Sequence, residues 1–145
     1  MKKLMNIALI AISLTVGMHA FGQDKVYKDA TVWAVSFIKT GANMNDDYLK
    51  SLKTSWVAVH EEAIKQGLIV SYKVLTGAAS NPDDWDILLM TEYKNLASME
   101  GQDDKWDAIF KKVVGNDDAA KKLNETRLNM RTIYGSKLLR EVSYK

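Results

Sequence analysis

Two side chains in this sequence have the chemistry expected of a catalytic base, His60 and Glu92. His60 follows Trp56 by one helical turn beside a run of apolar positions, where an imidazole could serve as a general base or a haem ligand. The alternative is a histidine at the edge of a helix face. Glu92 ends a predicted strand, where a carboxylate beside an apolar cavity can gain proton affinity and act as a base. Alternatively, it pairs with a neighbouring arginine.

Arg127 and Arg131 are two cations that lie four residues apart in a predicted helix. Like charges at this spacing repel each other by a few tenths of a kcal/mol. A negative group would offset the repulsion, and the candidates are Glu92, Asp107 or an anionic ligand. Two solvated arginines are the other interpretation.

Aromatic side chains recur along the chain and could line a pocket for a flat ligand. At strand and helix spacing they also form ordinary hydrophobic core. The positions concerned are Trp33, Trp56, Tyr72, Trp85, Tyr93 and Trp106. The predicted catalytic residues are His60 and Glu92. The predicted ligand-binding residues are Trp33, Trp56, Tyr72, Tyr93, Arg127 and Arg131.

The residue types that bind transition metals or catalyse through a thiol are scarce. The chain has no cysteine, and its two histidines are His19 and His60. Only His60 lies beyond the first 22 residues. One histidine without cysteine does not make a zinc or copper site, because such metals need several nitrogen or sulfur ligands. We therefore expect neither a metal site nor a cofactor.

The first 22 residues have the pattern of a secretory signal peptide. Lys2 and Lys3 precede a mostly apolar run over residues 4–16, and Ala20-Phe21-Gly22 supplies the small residues that a signal peptidase recognises. Cleavage near Gly22 predicts a soluble product in the periplasm or outside the cell. No later apolar run is long enough to anchor that product in a membrane.

The charge balance gives no sign of a polyanionic partner. The whole chain has 20 Lys+Arg and 18 Asp+Glu, and removal of Lys2 and Lys3 with the signal leaves 18 of each sign. Proteins that bind nucleic acid usually present a basic patch or stripe. We therefore expect no nucleic-acid partner.

Residues 23–30 are polar and predict a flexible lead-in, and residues 31–145 predict a single domain. Alternation and β-branched content predict strands over residues 31–39, 68–75, 86–93 and 137–144. The best-marked helix runs from Asn45 to Gly67, and later helical segments begin at Asn95, Gln102 and Asn116, the last ending at Gly135. The order is β-α-β-β-α-β with an extended second helical region. It predicts a four-stranded antiparallel sheet with helices on one face.

The predicted strands are apolar on both faces, although the helices can cover only one. In the first strand, Val32, Ala34 and Ile38 lie on one face, whereas Trp33 and Phe37 lie on the other. An uncovered face of this kind exceeds the few hundred Å² that soluble monomers usually expose. We therefore expect a homodimer that packs sheet face against sheet face. The alternative is a monomer whose extra helical segments wrap the second face.

This order of elements resembles the dimeric α+β barrel superfamily over residues 31–145, with residues 91–99 (Thr-Glu-Tyr-Lys-Asn-Leu-Ala-Ser-Met) at the exit of the third strand. The resemblance implies a ferredoxin-like protomer that pairs into a β-barrel, with a small-molecule pocket between each sheet and its helices. Members include cofactor-free monooxygenases, haem-degrading enzymes and stress-response proteins. The haem-binding members place a histidine in the later helical region, where this chain has none.

The interpretation we favour is an exported homodimer that binds a small, largely apolar molecule. A second is an enzyme of the cofactor-free monooxygenase type that uses His60 or Glu92 as its base. A third is a structural or interaction module whose pocket is filled by its own aromatic rings. A cavity into which His60 or Glu92 points would favour the enzyme, and a solidly packed pocket would favour the module.

Overall fold

A computed structural model describes residues 25–145, so the predicted signal peptide and its cleavage point lie outside the described residues. The strands are β1 (Tyr27–Thr40), β2 (Ser71–Thr76), β3 (Ile87–Tyr93) and β4 (Arg131–Tyr144). The helices are α1 (Asn45–Leu52), α2 (Ala58–Lys65), α3 (Asp103–Val113) and α4 (Asp117–Leu128). A π-helical turn, Lys53–Val57, joins α1 to α2, and a 3₁₀ turn, Leu96–Met99, follows β3.

The strands form one sheet in the order β2-β3-β1-β4, in which every neighbouring pair is antiparallel. One helical region connects β1 to β2, and the other connects β3 to β4. This is the ferredoxin-like β-α-β-β-α-β arrangement. The α+β fold class and the extended second helical region predicted from the sequence are therefore confirmed.

The helices begin near the amide residues that marked their predicted starts. Aspartate pairs lie in the first turns of α1, α3 and α4, where negative charge favours the positive end of the helix. At α4 the hydrogen bond that caps the helix comes from the preceding residue, because Asn116 Oδ1 accepts from the Ala119 N–H at 3.0 Å. The aspartates thus act through their charge, and Asn116 acts as the cap.

Strands β1 and β4 are longer than predicted and pair with each other along almost their whole length. Residues 27–30 of the predicted lead-in therefore belong to β1, and the last helix ends at Leu128 rather than at Gly135. Each strand satisfies the backbone N–H and C=O groups of the other. The β-branched and aromatic residues Ile133 and Tyr134 also favour a strand over a helix.

The sheet has a helix face, on which the hydrophobic core lies. Ile38 and Ile87 are opposed in β1 and β3, and they pack with Tyr48 and Leu52 of α1. A second cluster joins α2 and α3 to the segment before β2, and its buried members are Val59, Ala63, Leu68, Ile69 and Ile109. Arg127 brings α4 to the same side, since it contacts Ser51 at the end of α1. The described helices therefore all pack on this face.

The opposite surface, the outer face, carries the alternate residues of the same strands. Directly opposed residues in antiparallel strands share a face, so the register assigns the members from all four strands. They are Trp33, Val35, Phe37, Lys73, Leu75, Leu88, Met90, Glu92, Lys137 and Leu139. None of the helices within residues 25–145 is long and apolar enough to cross a membrane.

Candidate functional site

His60 lies on α2 and is held between a helix and the sheet. Its Nδ1 lies 2.7 Å from the carbonyl oxygen of Trp56, and its Nε2 lies 2.8 Å from the hydroxyl oxygen of Thr91 in β3. A carbonyl oxygen can only accept, so Nδ1 carries the proton and donates, whereas Nε2 accepts from the Thr91 hydroxyl. Both ring nitrogens of the neutral imidazole are therefore hydrogen-bonded.

Aromatic rings surround this imidazole. The His60 ring stacks on Trp56 with 3.7 Å between centroids, and the centroids of Tyr72 and Trp106 lie 5.7 Å and 5.9 Å from it. Trp56 and Tyr72 also meet edge to face at 5.5 Å. The structure thus brings together His60, Trp56 and Tyr72 of the predicted site, and their rings pack against one another. We call His60, Trp56, Tyr72, Thr91 and Trp106 the aromatic cluster.

Burial determines the protonation state of His60. Only 7% of the residue is exposed. Desolvation lowers the pKa of His60 to about 4, and the hydrogen bond to the Trp56 backbone opposes this shift only in part. The imidazole is therefore uncharged at neutral pH. It could accept a proton only at Nε2, after Thr91 has turned its hydroxyl away.

Glu92, the second predicted base, lies on the outer face. Successive residues of a strand point to opposite faces, so Thr91 faces the helices while Glu92 faces away from them. The Glu92 carboxylate accepts a hydrogen bond from the Ser71 hydroxyl of β2 and lies opposite Trp33 of β1. The sheet therefore separates Glu92 from His60, and the structure does not bring the two predicted bases to one site.

Trp33 lines a groove on the outer face. Its indole Nε1 donates to Glu141 Oε2 at 3.0 Å, and the Lys73 ammonium lies 4.8 Å from its ring centroid. The groove has a volume of about 360 Å³, and its lining residues are Trp33, Lys73, Met90, Leu139, Arg140 and Glu141. We call it the Trp33 groove. Hydrogen bonds from Trp33 and from Thr31 lower the pKa of Glu141, so the groove has a charged rim on an apolar floor.

A second, smaller groove lies further along the outer face, with a volume of about 240 Å³. Phe37 and Trp85 meet there edge to face, with 5.7 Å between their centroids. Tyr134 and Lys137 line the same groove. Trp85 thus extends the apolar surface beyond the strands.

Tyr93 is the remaining aromatic residue of the predicted site, and it lies on the helix face. It packs against the second core cluster. Burial raises the pKa of its hydroxyl. Tyr93 therefore contributes to the core below the aromatic cluster and does not share a groove with Trp33.

Arg127 and Arg131 come together around Tyr48, although they do not share a helix as predicted. Arg127 lies in the last turn of α4, and Arg131 is the first residue of β4. Their guanidinium carbons lie 6.0 Å and 5.6 Å from the Tyr48 ring centroid. Glu92 is on the outer face and Asp107 lines a surface depression beside α3. Within the described residues, neither carboxylate forms an ion pair with these arginines.

Comparison with known proteins gives one structural likeness. No protein-family model matches the chain, and no curated protein matches it. The chain is similar to the crystal structure of a dimeric ferredoxin-like protein from an uncultured marine organism, with a TM-score of 0.47 and 16% sequence identity. The match covers 81% of this chain and 90% of that one. The fold assignment rests on the strand order and register described above.

Sequence reasoning missed two residues that organise these sites, Thr91 and Tyr48. Thr91 is the polar member of an otherwise apolar alternation, Ile87-Leu89-Thr91, and a buried hydroxyl in such a row indicates a polar partner across the core. Tyr48 follows an aspartate pair in the first turn of α1, and its position gave no sign of two arginines that come from the far end of the chain. Among residues 25–145, no group of three or more His, Cys, Asp or Glu side chains is arranged to hold a metal ion.

Proposed function

We propose that the protein is an exported homodimer in which two sheets pack outer face to outer face, and that the dimer binds a small, largely apolar molecule. The observation that carries the proposal is the outer face, an apolar surface built from all four strands on the side away from the described helices. Export rests on the sequence pattern of residues 1–22 alone.

The exposed side chains on this side of the sheet favour a second copy as the occupant. Leu75 is 48% exposed and Leu139 is 45% exposed, and they belong to the two edge strands, with Leu88 and Met90 between them. Two such faces can interdigitate at the usual sheet spacing of about 10 Å. Packing of this kind would remove a contiguous apolar patch from water.

The charges of the outer face suit a copy of the same chain. Lys73 and Lys137 supply two positive charges and Glu92 supplies one negative charge. Glu141 adds a second negative charge beside this face, where it accepts a hydrogen bond from Trp33. A face with balanced charge does not repel its own copy. A partner with a strong net charge of one sign would gain no net electrostatic attraction from it. A twofold axis also allows a lysine of one protomer to meet a glutamate of the other.

The Trp33 groove is the binding site that we propose for the small molecule. Its volume of about 360 Å³ falls within the usual range for ligand sites, about 300–1,000 Å³. The resemblance to the dimeric α+β barrel superfamily implies a pocket between the sheet and the helices, but the aromatic cluster there is filled by its own rings. A second copy would cover the Trp33 groove and enclose a ligand between the sheets.

Substitution of two adjacent leucines tests the interface. Leu139 lies on the outer face opposite Trp33, whereas Leu138, which is 57% exposed, lies opposite Ala34 on the helix face. We expect sedimentation velocity at micromolar concentration to give two chains per particle for the wild type and for Leu138→Lys. Leu139→Lys should sediment as one chain, because it would bury two charges in the interface.

The matched pair also shows how the proposal would fail. A wild-type protein that sediments as a single chain at 100 µM would exclude the homodimer. Two variants that both remain dimeric, or that both dissociate, would place the contact elsewhere than the outer face.

Native mass spectrometry tests the ligand. Protein purified from its own host should carry an additional mass below about 500 Da, the scale of a molecule that fits such a groove. Trp33→Leu should lose this mass, because the indole forms one wall of the groove. Tyr93→Leu, on the other face, should keep it. The same sample tests export, since we expect the first residue of the mature chain to be Gln23.

An enzyme of the cofactor-free monooxygenase type is the second candidate, and the observation that favours it is that His60 Nε2 is bonded only to a hydroxyl, which can rotate away. The pKa of about 4 makes His60 a weak base at neutral pH, so a bound substrate would have to raise that pKa before His60 could take a proton. Once a substrate is known, His60→Ala should lower kcat by about 100-fold or more. Unchanged turnover would leave His60 with a structural role, as part of a module packed with its own aromatic rings.

A further inference from the structure

Two arginines meet at one buried tyrosine on the helix face, between the end of α1 and the junction of α4 with β4. Tyr48 is 1% exposed, and the guanidinium groups of Arg127 and Arg131 lie over its ring. This arginine pair is remote in sequence from α1, and the fold brings the two regions together. The aromatic faces attract the two cations but do not neutralise them.

All the hydrogen bonds of Arg127 go to neutral groups. Its Nε donates to Ser51 Oγ at 3.2 Å, and one Nη donates to the Ser51 carbonyl oxygen at 3.3 Å and to the Ser55 hydroxyl. The residue is only 9% exposed. A buried guanidinium is ordinarily paired with a carboxylate, because desolvation of an unpaired charge costs several kcal/mol.

Arg131 has an unused donor at the same place. Its Nε is buried and has no hydrogen-bond partner. In the part of the chain that the structure describes, neither Arg131 nor Arg127 forms an ion pair with an acidic side chain. Burial and the positive charge of Arg131 both lower the pKa of Arg127, which is the expected response to a positive field without a counter-charge.

We propose that Arg127 and Arg131 bind a small oxyanion, a carboxylate or phosphate group, at the α1–α4–β4 junction. Guanidinium groups present planar, paired donors that match the oxygens of both groups. The orphan Nε of Arg131 gives such a ligand one contact that the protein does not supply. Arg131 is half-buried, and a rotation of its side chain would bring the buried Nε to an anion that arrives from solvent.

This site is separate from the proposed dimer and from the Trp33 groove. The arginine pair lies on the helix face, whereas the dimer contact and the groove lie on the outer face. Loss of the anion site should therefore leave the oligomeric state unchanged. The failure of one proposal does not decide the other.

Thermal unfolding in matched salts tests the anion site. The purified protein is heated at pH 7.5 and constant ionic strength in sodium chloride, sodium phosphate or sodium acetate, and tryptophan fluorescence reports unfolding. A ligand that binds only the folded state raises Tm by mass action. We expect phosphate or acetate to raise Tm by at least about 3 °C over chloride at saturation. The salt that gives the larger rise identifies the phosphate or the carboxylate source.

Two variants assign the effect to this site. Arg131→Gln removes one charge and the orphan donor, and its rise in Tm should be smaller than about 1 °C. Lys112→Gln is the control, because Lys112 is an exposed cation of α3 that pairs with Glu62 at 2.8 Å, away from both proposed sites. It should keep the whole rise.

Isothermal titration with phosphate and with acetate repeats the comparison without heating. We expect the wild type and Lys112→Gln to give a saturable heat, and Arg131→Gln to bind at least tenfold more weakly. Arg131→Lys keeps the positive charge but lacks the paired donors of the guanidinium, so it should lose part of the affinity. It provides a second test in case Arg131→Gln does not fold. Equal responses of the wild type and Arg131→Gln, or no response to either salt, would overturn the proposal.

Discussion

At the scale of single residues, the environment of His60 predicts a loss of stability in mild acid. Its pKa is about 4 in the folded protein and about 6.5 in an unfolded chain. The unfolded state therefore binds a proton first as the pH falls, so stability is lost between pH 6.5 and about 4. The loss amounts to roughly 3 kcal/mol. His60 is the only histidine among residues 25–145. The other side chains that titrate near the lower end of this pH window are carboxylates.

Urea unfolding of the wild type and of His60→Asn across this pH range measures the effect. The free energy of unfolding of the variant should change less from pH 6.5 to pH 4.5, and the difference between the two proteins is the contribution of His60. Parallel curves would mean that the imidazole titrates in the folded protein as it does in water. Thr91 and the Trp56 carbonyl would then not hold it neutral.

Residue chemistry was partly predictable from the sequence. Helical spacing placed Trp56 and His60 one turn apart, and the structure stacks their rings. A site shared by His60 and Glu92 required both side chains to lie on one face of the sheet. Alternation along β3 directs Thr91, the partner of His60, to the helix face and Glu92 to the outer face. The contact of Arg127 with Ser55 joins residues far apart in the chain. No local pattern reports such a contact.

At the scale of elements, Gly67 makes the end of α2 sensitive to substitution. Gly67 has φ +70°, a left-handed conformation that costs other residues about 1–2 kcal/mol. Its N–H donates to Ile64 O at 3.0 Å, and the Leu68 N–H donates to Ala63 O at 2.9 Å, so the chain turns from α2 towards β2. Gly67→Ala should lower the free energy of unfolding by about 1 kcal/mol in urea denaturation.

Gly77→Ala is the matched control for the Gly67 substitution. Gly77 is exposed, has no left-handed φ, and an added Cβ would meet nothing within 4 Å. Its free energy of unfolding should stay within about 0.5 kcal/mol of wild type. An equal loss in both variants would point to a general cost of alanine in these loops and not to the conformation of Gly67.

Element types were more predictable than element ends. The amide residues Asn45, Gln102 and Asn116 located the starts of α1, α3 and α4 because the signals that begin a helix are local. The ends of β1 and β4 were missed because their pairing joins residues about 100 positions apart. The π-helical turn Lys53–Val57 was also missed, since the apolar stripe runs through it without a break. That turn directly precedes α2. It contains Trp56, whose carbonyl oxygen accepts a hydrogen bond from His60.

At the scale of the whole molecule, the sheet separates two kinds of surface. The helix face holds the core, the aromatic cluster and the arginine pair, whereas the outer face holds the grooves and balanced charges. The sequence predicted this division from strands that are apolar on both faces. The family resemblance implied a ligand pocket on the helix side, where the rings of the aromatic cluster pack against one another. The alternation of apolar residues does not report such ring contacts.

A dimer held by the outer face should become more stable as the protein concentration rises. Unfolding of a dimer releases two chains, so mass action favours the folded state at high concentration. A change from 1 to 100 µM should raise Tm of the wild type by roughly 5 °C. Leu138→Lys should show the same dependence, whereas Leu139→Lys should unfold at a Tm that is independent of concentration. A constant Tm for the wild type would mean that the folded protomer does not depend on its copy, and the apolar outer face would then need another occupant.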